Sequence, residues 1–285
     1  MSLAEQVVLV KLKVSDFRGT ITDHVTTEEV RVAKHAQVGA NKATKYLLKD
    51  NDYFRECASA TRALRTYVES ITVPWEGGGI RALPADLYFD FGQAIREKIA
   101  RFDAARQAFV ANLGDLVAQD ASRLGDLFDP DDYPSPDKLE SMYHVEVQVF
   151  PIQNLDDIRV RLPEEEKAKM RADCEDMFAD KMKAASVDLW GRLHKCIKRM
   201  VDNLDSNSRI YDTMIGNIND LVQILPTLNI GNDPELAYMT REITDRICSR
   251  YSTQSIKDSE ATRKRARDDA QDVLDRIDEK LKGWG

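Results

Sequence analysis

No apolar run in this chain approaches the roughly 20 residues that span a bilayer, so no helical membrane anchor is expected. Histidine is scarce. The four, at positions 24, 35, 144 and 194, form no H-E-x-x-H pair, and His194 and Cys196, two apart on a predicted helix, point to different faces. Cysteines 57, 174, 196 and 248 are isolated from one another and form no C-x-x-C. Each falls among apolar neighbours on a predicted helix, which reads as a small buried hydrophobe in a reducing compartment. The chain also lacks a G-x-x-x-x-G-K-[ST] loop, a G-x-G-x-x-G between strand and helix, and a G-x-S-x-G elbow. These absences leave no catalytic residue, no metal ligand and no cofactor site to nominate. The start, Met1-Ser2-Leu3-Ala4-Glu5-Gln6, has no basic region, and Val7 to Val10 is too short for a signal core, which points to the cytoplasm.

What is present is charge and helical periodicity. Of 285 residues 42% are apolar and 32% charged, the latter above the globular norm of about 25%, as suits long helices with a wide solvated face. The net charge of −8 is local: from Ala121 to Glu166 twelve acids face four bases, and the rest of the chain balances. An acidic pI here does not mean that the whole surface repels nucleic acid.

The alternation through Val8, Val10, Leu12 and Val14 predicts a strand with one buried face. Thr26-Thr27-Glu28-Glu29 resembles a capping box, and helical spacing follows through Val30, Ala33, Ala43 and Leu47, then from Phe54 to Ile71, with a break at Lys49 to Asp52. Thr72 to Pro84 interrupts the helices. A stripe from Tyr88 to Leu116 predicts one helix over about 85–124. Between Asp126 and Asp137, five aspartates and three prolines predict a loop and the joint between two halves, 1–125 and 126–285, which one continuous domain would also accommodate. Val145, Val147 and Val149, then Ile158, Val160 and Leu162, predict an antiparallel hairpin, with Glu146 opposite Arg159 and Arg161. Pro163 and three glutamates open a helix whose stripe runs from Met170 to Leu204 with a mean spacing of about 3.8, closer to a bundle helix than to a strict coiled-coil seam. Helices ending at Pro226, opening at Asp233-Pro234, and running from Gln254 to Trp284 complete the chain. The expected fold is mainly α with a small antiparallel sheet (α+β): helical hairpins or a bundle beside three strands.

Three features warrant a chemical test. Gly77-Gly78-Gly79 offers backbone amides and Arg81 a counter-charge for a phosphate, but the run follows a predicted helix and reads as a turn. Asp129, Asp131, Asp137 and Glu140 match four calcium-loop positions, yet Pro134 stands where that loop needs glycine, so a solvated acidic linker is expected. Arg263-Lys264-Arg265-Ala266-Arg267 is the densest basic run. It reads as an exposed helix face with pairs such as Lys264 with Asp268, or as a phosphate-backbone contact joined by Lys11, Lys13, Arg81, Arg159 and Arg161.

The early strand, Trp75 followed by Arg81-Ala82-Leu83-Pro84 and Tyr88, the valine strand closing at Leu162, Trp190, and Asp233-Pro234-Glu235-Leu236 resemble, in that order, a family of uncharacterised proteins of bacteriophages, prophages and some archaea. That family has no established activity, so the resemblance brings no catalytic residues with it. Its genes often accompany a MoxR-like AAA+ ATPase or phage DNA-metabolism genes, which implies a host-cell cytoplasmic setting and such a partner. Two functions are therefore expected as alternatives. One is a non-enzymatic helical assembly protein that self-associates or docks a partner such as an AAA+ ATPase. The other is an oligomeric single-strand nucleic-acid binding or annealing protein.

Overall fold

The computed structural model describes residues 3–152, 163–205 and 210–284. In chain order its elements are α1 (Leu3–Gln6), β1 (Val7–Ser15), β2 (Thr20–Asp23), α2 (His24–Ala33), β3 (Ala43–Tyr46), α3 (Asp52–Ser70), β4 (Val73–Glu76), β5 (Ile80–Pro84), α4 (Tyr88–Ala111), α5 (Leu113–Leu124), α6 (Pro136–Met142) and β6 (His144–Pro151). There follow α7 (Glu164–Asp205), α8 (Met214–Leu228), α9 (Pro234–Ile243), a π-helical turn (Thr244–Cys248), α10 (Thr253–Asp258) and α11 (Glu260–Lys282). The protein is mainly α-helical with a small antiparallel sheet of order β4-β5-β1-β6 and a separate pair β2-β3. Among the described residues no helix is long and apolar enough to cross a membrane.

Two compact units are each assembled from separated stretches. One holds residues 1–11, 69–89 and 148–285; the other holds 12–68 and 90–147, so residue 126 lies inside a unit rather than between two.

The first unit is built on α7 and α11. Their side chains meet in reverse order (His194 with Asp278, Arg267 with Asp205, and Trp190 with Trp284 just beyond α11), so the helices run antiparallel. Leu189, Trp190, Leu193, Ile197 and Met200 of α7 are buried with Ala266, Ala270, Val273 and Ile277 of α11. Val7 and Leu9 of β1 and Val73, Trp75 and Ala82 of the β4–β5 hairpin join the same core. Thr72 to Pro84, read from sequence as an interruption, is that hairpin. Val73 pairs with Ala82, Glu76 with Ile80, and Leu9 with Ala82 on the other side. Pro74 is tolerated because β4 is an edge strand among the described residues. Gly78 and Gly79 have φ of 75° and 83°, the left-handed region a tight turn needs. The glycine run thus follows a strand, not a helix, and among the described residues the sheet has four strands. Of the predicted hairpin, Val145 to Val149 lie in β6, while Ile158, Val160 and Leu162 fall outside the described residues.

The second unit buries Cys57, Ala60 and Leu64 of α3, Phe102, Phe109 and Leu116 of α4 and α5, and Leu139. Phe17, Phe54, Phe109 and Tyr143 pack in a chain of edge-on rings with centroids 6.1–6.3 Å apart. Helical spacing from Val30 to Leu47 misleads here. The helix stops at Ala33, Ala43 belongs to β3, and the true N-cap is Asp23, whose carboxylate accepts from Thr26 N–H. The 85–124 helix breaks at Asn112, whose side chain donates to the Ala108 carbonyl and competes with the ladder. The last helix likewise splits at Ser259, which caps α11 through Thr262 N–H. Pro226, placed at a helix end, lies inside α8. Gly19 has φ of 62°, and a Cβ there would sit 2.8 Å from the Leu47 carbonyl oxygen. Gly19→Ala should therefore cost about 1–3 kcal/mol in a thermal melt, and an unchanged melt would contradict this packing.

Candidate functional site

Several of the basic residues singled out in the sequence are engaged within their own unit. Lys13 is held 2.8 Å from Glu146. Lys11 lies on β1 opposite Ile80, close to the glycine turn. Arg81 turns away from that turn to its own sheet: Nε donates to Thr72 Oγ1 at 2.6 Å and Nη2 to the Thr72 carbonyl at 3.1 Å. Burial, reinforced by the charge of Arg192, holds its pKa below the ordinary arginine value. Arg81 is therefore a structural clamp on the start of β4, and the phosphate role for this turn loses its counter-charge. Arg159 and Arg161 lie outside the described residues. On α11, Arg267 is engaged by Asp205 at 2.5 Å and Asp268 at 3.1 Å, so Asp268 pairs with Arg267 rather than with Lys264. Arg263 is half-buried, and Lys264 and Arg265 are exposed.

Arg265 borders a polar groove of about 630 Å³ together with Arg250, Tyr251, Ser255, Thr262, Asp268 and Asp269. Arg246, on the π-helical turn, supports its floor by binding Asp269 at 3.0 Å, Asp272 at 2.5 Å and Glu242 at 3.2 Å. Tyr251 Oη donates to the other Asp269 oxygen at 2.7 Å. Burial works to raise the Asp269 carboxyl, but Tyr251 and Arg246 hold it below the usual carboxylate range. The groove's carboxylates are thus committed, while Arg250 reaches Asp269 only at 3.8 Å and Arg265 Nε donates to its own helix at the Ala261 carbonyl. Sequence reasoning missed Arg246, Arg250 and Tyr251. The i, i+4 pair of Glu242 with Arg246 was a readable signal, but the π turn that aims Arg246 at α11 has none.

The largest departure concerns α7. Its stripe was read as a single face from Met170 to Leu204. From Ala185 onward that face is buried, yet between Glu164 and Ala184 no residue is. This is about 30 Å of helix, with Met170 40% and Met177 43% exposed. Its base is braced: Trp75 of β4 meets Phe178 with ring centroids 5.8 Å apart, and Phe178 and Met182 pack against the core. Beside that contact Met177, Asp180, Lys181 and Ala184 face Pro74 to Gly77 across a notch of about 410 Å³. In the second unit α2 also buries none of its residues, leaving Val25 and Val32 on an open apolar face.

The four cysteines are free. Burial pushes the Cys57 and Cys196 thiols up to about 11, the opposite of what a thiolate nucleophile requires. Among the described residues no group of three His, Cys, Asp or Glu is placed to hold a metal ion. Comparison with protein-family models, with curated proteins and with solved structures returns no match.

Proposed function

We propose that this chain is a non-enzymatic helical interaction and assembly protein whose working surface is the uncovered first half of α7. The observation that carries the reading is the exposure of Met170 and Met177 on a stretch of helix, Glu164 to Ala184, in which no residue is buried. Most helical stability in proteins comes from burying an amphipathic face, and an apolar stripe held in water gains nothing from its order. A surface of this kind suits a second helix. The resemblance to phage and prophage proteins extends the proposal to a cytoplasmic partner such as an AAA+ ATPase. Light scattering on the full chain, with a pull-down from the producing cell, tests it. A mass above 32.4 kDa or a retained partner is expected, and Met170→Glu with Met177→Glu should abolish either one. A monomer at high concentration that retains nothing would remove the reading.

A second reading follows from the groove. Arg250 and Arg265 line this groove beside Lys264, with Arg250 held to Asp269 only at 3.8 Å, and such a cluster of cations is the pattern that meets phosphates of single-stranded nucleic acid. Binding to an oligonucleotide should then weaken steeply with salt, and Arg250→Ala with Arg265→Ala should lower it tenfold or more. No affinity at low salt would end this alternative.

A further inference from the structure

The uncovered stretch of α7 carries a finer pattern than an apolar stripe. Lys167, Met170, Cys174, Met177, Lys181 and Ala184 are spaced 3, 4, 3, 4 and 3, a strict heptad seam. With Met170, Met177 and Ala184 at d, the a positions are Lys167, Cys174 and Lys181. The g positions on one flank are then Glu166, Asp173 and Asp180, all acidic, and Arg171 is an e position on the other flank. The seam ends at Ala184, next to Ala185, the first buried residue of the helix. In this seam the d residues Met170, Met177 and Ala184 are exposed and the a residues Lys167, Cys174 and Lys181 half-buried, whereas the buried half of α7 steps 4-4-4-3-4 through Ala185, Leu189, Leu193, Ile197, Met200 and Leu204.

Resting on the reading above, we propose that the occupant of this seam is a second copy of the chain, paired parallel and in register about a two-fold axis. Charge decides the direction. In a parallel pair each a residue packs beside the partner's preceding g residue, and each g residue reaches the partner's e residue five positions on. Lys167 then meets Glu166 of the other copy, Lys181 meets Asp180, and Arg171 meets Glu166. In an antiparallel pair g faces g, which sets acid against acid along the whole seam. The a-position lysines fix the register, because sliding the helices by a heptad leaves one lysine without its acid. Lys167 is now held by Glu164 at 2.8 Å on its own helix, an exposed pair that is cheap to exchange. The two-fold places Cys174 of one copy opposite Cys174 of the other, within disulfide reach of adjacent a positions.

Diamide oxidation of the full chain tests this pairing. Two thiols lose two protons and two electrons to the diazene, and a Cys174–Cys174 bond closes across the axis. A cross-linked dimer is expected on a non-reducing gel, lost in Cys174→Ser and kept in Cys57→Ser, Cys196→Ser and Cys248→Ser. Lys181→Glu should weaken association several-fold, and adding Asp180→Lys, whose e-position neighbour Ala185 carries no charge, should restore it, a rescue that a merely folded-state effect would not give. An assembled mass without Cys174 cross-linking, or without charge-swap rescue, overturns the parallel pairing while leaving the assembly reading intact. A monomer that binds some other protein through Met170 and Met177 overturns self-pairing alone.

Discussion

Trp190→Ala should lower the stability of the unit built on α7 by about 3–5 kcal/mol, the range for removing a buried aromatic. Trp190 is 2% exposed, meets Trp284 edge-on at 6.4 Å, and its indole Nε1 donates to Asp233 Oδ2 at 3.0 Å. Asp233 caps α9 with its other oxygen, accepting from Glu235 and Leu236 N–H, and also accepts from Ser186. Burial opposes the Asp233 charge, and these donors, Ser186 and Trp190 first, outweigh it and hold the carboxyl below its usual range. Truncating the ring thus opens a cavity and removes a donor from the α9 cap. In urea denaturation Trp190→Phe, which keeps most of the volume but loses the N–H, should recover more than half of the loss. A change under 1 kcal/mol for Trp190→Ala would contradict the packing described.

Asp120→Ala should cost the other unit about 3 kcal/mol, the scale of orphaning the partners of a buried charge. Asp120 is 5% exposed and accepts from Leu48 N–H at 2.6 Å, Arg123 Nε at 2.7 Å and Tyr133 Oη at 3.0 Å. Leu48 has φ of 54°, a strained conformation for a residue with a side chain, and its hydrogen bond to Asp120 holds it there. Burial works to raise the Asp120 carboxyl, but Arg123, Leu48 and Tyr133 together hold it below its usual range. The folded pKa is the lower one, so the stabilisation is present in full above about pH 4 and is lost as pH falls through the folded value. Asp120→Ala should therefore flatten the acid limb of a pH-stability curve. An acid limb as steep as that of the unsubstituted chain would contradict the assignment.

How much of this was legible in the residues depended on whether the signal was local. The stripe of α7 and the Pro163 start announce a long helix because each rests on spacing within one segment. The β4–β5 hairpin was invisible because β4 is four residues long, carries a proline, and is defined by its partner β5. Ala43 and Leu47 fall at helical spacing by accident, and the strand at Ala43–Tyr46 depends on Thr20–Asp23 across a sheet. Burial was the harder property. Met170 and Leu193 belong to one apolar stripe in sequence, and only the position of α11 separates the half it covers from the half it leaves open. Arg81 stood out for its charge beside glycines, yet its partner is Thr72, behind it on the chain. The heptad between Lys167 and Ala184 was present all along, masked by averaging its spacing with that of the buried half.

The central claim, that α7 works through the surface it leaves uncovered, is tested most directly by hydrogen exchange read peptide by peptide. The comparison is between dilute protein and protein at a concentration where light scattering gives the assembled mass. Amides between Glu164 and Ala184 should exchange at least tenfold more slowly in the assembled form, with the segment from Leu189 to Leu204 unchanged. Assembly that protects another segment and leaves Glu164 to Ala184 exchanging as in dilute solution would contradict the account.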